Sequence, residues 1–204
     1  MGLASYRRSV SETKRAAILK AARENFLNSG YSRAAMADIA RDADVSTATL
    51  YKHFASKDAL FAAVVEETYA ANEHPLSTNI TGKSAAQVLT AFANGYISQQ
   101  FDRRMNELLR IVIAEVPTAP GLARDVYKNC VLAKYTHLAK VLDALIARGD
   151  LKPHNTEDGA RHLAGMVKEF VVWPAFFITS FEKPADLDKK VEDCINAYLK
   201  VHGR

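Results

Sequence analysis

The sequence predicts an all-α protein of about nine helices in two helical units, and three observations predict it. Glycine (9) and proline (6) are sparse among the 204 residues while alanine and leucine are plentiful, a composition that favours helix over strand. Apolar residues recur at three- and four-residue intervals, and no stretch alternates apolar with polar residues as a half-buried strand would. Clusters rich in glycine, proline and small polar residues interrupt this pattern at helix-length intervals.

The first helix is read over Ser11–Asn28, where Ile18, Ala22 and Phe26 share one face with Leu19 beside them. Ser11 is placed as its N-cap, and the Asn28-Ser29-Gly30 turn ends it. A very short helix is expected over Ala35–Asp42, followed by a tight break at Ala43-Asp44-Val45. Ser46 caps a third helix that runs to Phe54, and after Ala55 a second serine, Ser56, caps a longer one over Lys57–Asn72. Pro75, Gly82 and their polar neighbours make Glu73–Lys83 a loop. Further helices are expected over Ser84–Phe101, Arg103–Glu115, Gly121–Arg148, Thr156–Phe181 and Pro184–Val201. The run from Pro117 to Gly121, Gly149-Asp150 with Pro153, and Glu182-Lys183-Pro184 separate them. Pro174, inside the penultimate helix, removes a backbone donor and predicts a kink.

Apolar residues at 49% and charged residues at 25% are ordinary for a soluble globular chain. The two cysteines, Cys130 and Cys194, lie far apart with no ligand pattern beside them, which favours a reducing, cytoplasmic compartment. The first fifteen residues carry Arg7, Arg8, Lys14 and Arg15 rather than an apolar leader. The most apolar stretch, Leu163–Phe181, is interrupted by Lys168, Glu169 and Pro174, so it reads as a buried helix and no membrane partner is expected. No glycine-rich phosphate loop, His-Glu-x-x-His helix or nucleophile elbow is present. His53, His74, His137, His154, His162 and His202 are scattered without metal-ligand spacing. The expectation is therefore a non-enzymatic chain with neither cofactor nor metal.

The net charge of +4 is unevenly placed. Residues 1–58 hold ten basic against six acidic side chains, whereas residues 59–204 hold seventeen of each. An excess of positive charge confined to the N-terminal quarter helps attract a polyanion. The second and third helices there are too short to be stable alone, so they must share a core. Its candidates are Ile18, Ala22, Phe26, Ile39, Ala40, Val45, Leu50 and Phe54. Such a core leaves one face of the third helix free, and that face is Thr47, Thr49, Tyr51, Lys52 and His53. A slim helix with this polar face fits the major groove of duplex DNA. Taken alone, the same face also suits a helix that is merely solvated.

The segment from Met36 to Phe61 resembles the DNA-binding domain of the TetR family of bacterial repressors. The resemblance covers residues 12–61 and rests on Asp38-Ile39-Ala40, Val45-Ser46, the run Leu50-Tyr51-Lys52-His53-Phe54, and the run Ser56-Lys57-Asp58-Ala59-Leu60. It implies a helix-turn-helix DNA-binding domain at 1–56 and a helical effector-binding and dimerisation domain at 57–204. By position, Thr47, Thr49, Lys52 and His53 would face base edges and phosphates, Tyr51 would pack on the sugar-phosphate backbone, and Lys57 would hold a phosphate. Leu50 and Phe54 would be core. Two positions depart from the family pattern. Asp44 stands where glycine is common, and Ala35 where a threonine or serine usually caps the second helix and touches a phosphate, a role for which Ser32 is a candidate substitute.

The resemblance further implies a homodimer on a palindromic double-stranded operator, released when a small molecule shifts the population toward wrongly spaced recognition helices. The last two helices are the expected dimer contact: one is apolar nearly all round, and the other carries the stripe Leu187, Val191, Ile195, Tyr198 and Leu199. A core internal to one subunit explains that stripe as well. Phe92, Tyr96, Tyr127, Met166, Trp173 and Phe177 are the candidates for lining a lipophilic or aromatic effector's pocket, and equally for filling the core. The rival functions are a helical adaptor that binds only protein and an all-α enzyme.

Overall fold

In the computed structural model, which describes residues 3–71 and 80–204, all the named elements are helical. Helix α1 spans Leu3–Arg33, α2 Met36–Asp42, α3 Thr47–His53 and α4 Lys57–Ala71. Helices α5 (Ala85–Gln100), α6 (Arg103–Ala114) and α7 (Pro120–Val126) follow, and a π-helical turn over Tyr127–Leu132 leads into α8 (Ala133–Arg148). The chain ends with α9 (Thr156–Glu169), α10 (Val172–Phe177) and α11 (Leu187–His202). Asn72 and the loop expected through Pro75 to residue 79 lie outside the described residues.

Local chemistry accounts for most of these boundaries. Ser46 accepts from the Thr49 amide at 3.1 Å, and Ser56 from that of Ala59 at 3.1 Å, so both predicted caps form. Gly30 adopts φ 76°, ψ 171°, which breaks α1 where the Asn28-Ser29-Gly30 turn was expected. Upstream, α1 extends to Leu3, leaving Ser11 inside the helix rather than at its cap. Ala35 makes no side-chain cap to α2, and Ser32 donates to Glu115 at 2.8 Å instead of substituting for it.

Two long helices expected from the sequence are divided. The one over Gly121–Arg148 is interrupted by the π-helical turn. The one over Thr156–Phe181 ends at Glu169, because the ring of Pro174 would clash with the Phe170 carbonyl and offers it no hydrogen bond. In α10 the proline lies in the first turn, where amide groups lack intrahelical partners anyway.

The described chain forms two compact units, Met1–Ala70 with Glu107–Tyr127, and Ala71–Asn106 with Lys128–Arg204. Ile18, Ala22, Phe26, Ile39, Ala40, Leu50 and Phe54 are buried in the first, with Val45 half-buried. Leu60, Phe61, Val64 and Val65 of α4 join them, and Phe26, Tyr31 and Phe61 pack as an aromatic trio, the Phe26 and Phe61 rings meeting edge-on at 4.7 Å. The second unit is built on Leu138, Leu142 and Leu145 of α8, Leu163 and Val167 of α9, and Leu187, Val191, Ile195 and Tyr198 of α11. The α11 stripe is thus spent inside its own unit, with Leu199 half-buried at its edge. No helix among the described residues is long and apolar enough to cross a membrane.

The turn between α2 and α3 carries Asp44 at φ 53°, the left-handed conformation that a glycine adopts without steric cost. Asp44→Gly is accordingly expected to raise unfolding free energy by about 0.5–1 kcal/mol. A urea titration checks this, and a lowered midpoint would contradict strain at the turn.

Candidate functional site

The α2–α3 pair presents the first candidate surface. Leu50 is fully buried and Phe54 nearly so, which anchors one side of α3 to the core. Arg15 of α1 stacks over the Phe54 ring at 5.3 Å, and Asn25 of α1 donates to Asp42 at the end of α2 at 2.9 Å. These contacts brace a helix of seven residues that has little stability of its own.

The opposite side of α3 is turned to solvent. Thr47, Tyr51 and Lys52 are exposed, Tyr51 to 52%, while Thr49 and His53 are half-buried. The Thr49 hydroxyl lies 2.9 Å from that of Ser46, so the cap and the exposed face share a hydrogen bond. Donors, acceptors, a cation and an aromatic ring therefore stand together on one narrow rod.

Lys57, expected from the sequence to hold a phosphate, has intramolecular partners in the structure. Its ammonium donates to the carbonyls of Tyr31 at 2.8 Å, Ser32 at 3.2 Å and Ala34 at 3.1 Å, and sits 4.5 Å from the centre of the Tyr31 ring. All three of its hydrogens are engaged, so a phosphate would have to displace the carbonyls that end α1. The Tyr31 hydroxyl donates to Asp58, and burial together with that carboxylate raises its pKa. Glu115, at the far end of α6, accepts from Ser32 and from Thr118 at 2.5 Å, and these hydrogen bonds hold its carboxyl below the usual range. Lys57 and Glu115 thus fix the α1–α2 connection from two sides.

The second candidate site is a cavity of about 30 Å³ within the other unit, between α5, α8 and α9. Leu89, Phe92, Ala93, Leu138, Leu163, Ala164 and Val167 give it an apolar lining, and Tyr96, Lys134, Tyr135 and Lys168 supply its polar groups. Two of the pocket residues expected from the sequence, Phe92 and Tyr96, line it. Met166 is half-buried against the unit's core, whereas Tyr127, Trp173 and Phe177 are exposed to 50%, 55% and 82% and are not among this cavity's lining residues. Lys134, Tyr135 and Lys168 are what sequence reasoning missed. The available signal was Lys168 itself, a cation placed inside the most apolar stretch of the chain. Among the described residues no group of histidine, cysteine and carboxylate side chains has the arrangement of a metal site.

Comparison with known proteins adds two matched regions. Residues 18–64 match the model of bacterial regulatory proteins of the tetR family, and residues 87–204 match that of the AefR-like transcriptional repressor C-terminal domain. A helix-turn-helix regulator, UidR of Escherichia coli (strain K12), is 42% identical over 55 residues, or 27% of this chain and 28% of that protein. The match therefore spans little more than a quarter of that relative's length. Among solved structures, a TetR-family regulator from Mesorhizobium loti MAFF303099 has 27% identity and a TM-score of 0.83, covering 95% of this chain and 98% of that one. The flavonoid-responsive regulator FrrA has 26% identity and a TM-score of 0.82, covering 93% and 97%.

Proposed function

This chain belongs to the TetR family of DNA-binding transcriptional regulators, and from that premise we propose that it is a cytoplasmic repressor released from a palindromic operator by a small lipophilic or aromatic effector. The observation that carries this reading is the disposition of α3, with Leu50 and Phe54 held in the core and Thr47, Tyr51 and Lys52 presented outward. Thr49 and His53 flank that surface and complete the set that reads base edges and phosphates. Sequence-specific contact through one short helix is weak, and two-fold symmetry doubles it on a palindrome.

The apolar residues left exposed on α10 and at its C-terminal cap support a dimer. Trp173, Phe177 and Ile178 are 55%, 82% and 50% exposed, and large side chains grouped this way mark a face that another protein covers. Because the α11 stripe is buried within its own unit, the partner is expected to meet α10 and the outer sides of α9 and α11. Phe177→Asp is expected to convert the dimer to a monomer by size-exclusion chromatography with light scattering. An unchanged mass would place the dimer contact elsewhere.

Support for an effector comes from the apolar cavity, and for its aromatic character from a relative that is flavonoid-responsive by name. In this mechanism the effector prefers a conformation whose recognition helices do not match successive major grooves, so its binding shifts the population away from DNA. Selection of bound sequences from a random duplex library tests the reading. Enrichment of an inverted repeat supports it, and recovery of no common sequence would leave the chain as a helical adaptor for another protein.

A further inference from the structure

We propose that the effector is an amphipathic anion, a carboxylate or phenolate on an apolar body, whose acidic group is held by Lys168 and Tyr135 with Lys134 beside them. The inference rests on reading the cavity as the effector site and goes further by assigning the ligand's charge. Lys168 is half-buried, and among the described residues no carboxylate lies within 4.0 Å of its ammonium. Its partners are the Tyr135 hydroxyl and two ring faces, those of Tyr135 at 4.2 Å and Tyr96 at 5.7 Å. The ammonium of Lys134 approaches the Tyr96 ring from 5.3 Å, and Arg161 lies 5.2 Å from the Tyr135 ring. Three cations therefore converge on two tyrosines that line an otherwise apolar cavity, two of them, Lys134 and Lys168, lining it as well.

The hydrogen-bond inventory of this cluster is one-sided. An ammonium has three donors and no acceptor, and Lys168 uses one of them on the Tyr135 oxygen. The phenol, having accepted that bond, keeps its own hydrogen to donate. The pair thus offers donors with no acceptor opposite, beside apolar walls that weaken the competing interaction with water. An anionic oxygen satisfies both groups and neutralises the charge, while a neutral ligand leaves Lys168 uncompensated. The cavity is far smaller than ligand pockets commonly are, so an apolar body enters only if lining side chains move aside. Charge at the polar end is therefore better defined than shape at the apolar one.

Titration calorimetry on the full-length protein tests this with two matched pairs, 1-naphthoate against 1-naphthamide and decanoate against 1-decanol. The anions are expected to bind about ten- to a hundred-fold more tightly than their neutral counterparts. That preference should vanish in Lys168→Met, return at least in part in Lys168→Arg, and fall several-fold in Tyr135→Phe, which keeps the charge and removes one donor. Far-UV circular dichroism accompanies each variant. Equal binding of the neutral members, an anion preference that survives Lys168→Met, or no binding of either anion at millimolar concentration would overturn the proposal. A gel shift separates it from the regulatory reading. Anion binding that depends on Lys168 yet leaves the operator occupied refutes release while the anion site stands, and release by the neutral members alone does the reverse.

Discussion

Tyr51→Ala is expected to lower operator affinity by about thirty- to a thousand-fold without disturbing the dimer. The ring is 52% exposed on α3 and makes no contact that the core depends on, since Leu50 and Phe54 carry the packing of that helix. Truncation therefore removes the proposed recognition group and leaves the rod that presents it. One such side chain at a DNA surface contributes about 1–2 kcal/mol, and two-fold symmetry makes each substitution count twice. A fluorescence-anisotropy titration with the selected operator measures the loss, and sedimentation checks that the proposed dimer is retained. Affinity unchanged within a factor of two would remove α3 from the interface.

Lys57→Met is expected to act through folding, not through phosphate contact. The substitution keeps the apolar stem and deletes the charge that ties the Tyr31, Ser32 and Ala34 carbonyls to the start of α4. It also removes the cation from the Tyr31 ring, at 4.5 Å. Carbonyls that end a helix then lose their partner, and the half-buried connection between α1 and α2 loosens, at a cost of about 2–4 kcal/mol. The expected readout is a lower urea midpoint with an unaltered salt dependence of DNA binding. If Lys57 instead neutralised a phosphate, stability would hold and the slope of log K against log salt would fall by about one. The two measurements together assign the residue.

The contrast between Tyr51 and Lys57 shows where sequence reasoning reaches. The caps at Ser46 and Ser56 and the break at Gly30 depend on a few neighbouring residues, and each was legible. So was the burial of Leu50 and Phe54 behind a polar face, because a short amphipathic helix has one way to hide its apolar side. The carbonyl partners of Lys57 were not legible, because a lysine just after a polar-faced helix fits a phosphate by sequence. Only the tertiary approach of the end of α1 reveals three carbonyls within its reach.

The second unit was less legible for a related reason. Apolarity marks Phe92, Trp173 and Phe177 alike, yet one lines a cavity and the others face outward from α10. Pro174 announced a kink, but that α9 ends at Glu169 follows from the clash at Phe170, four residues back. The stripe on α11 fitted both an internal core and a dimer face, and in the structure α5 and α9 pack against it and Leu187, Val191, Ile195 and Tyr198 are buried.

Cleavage by a chemical nuclease tethered to α3 tests the regulatory account most directly. Cys130 and Cys194 are both buried, so Thr47→Cys offers one accessible thiol per protomer at the exposed start of the helix. The account predicts strand scission at two major-groove positions in the operator, about 34–36 Å apart and related by the operator's own symmetry. Bound DNA that is cut uniformly, or left uncut while the complex persists, would show that α3 does not enter the groove.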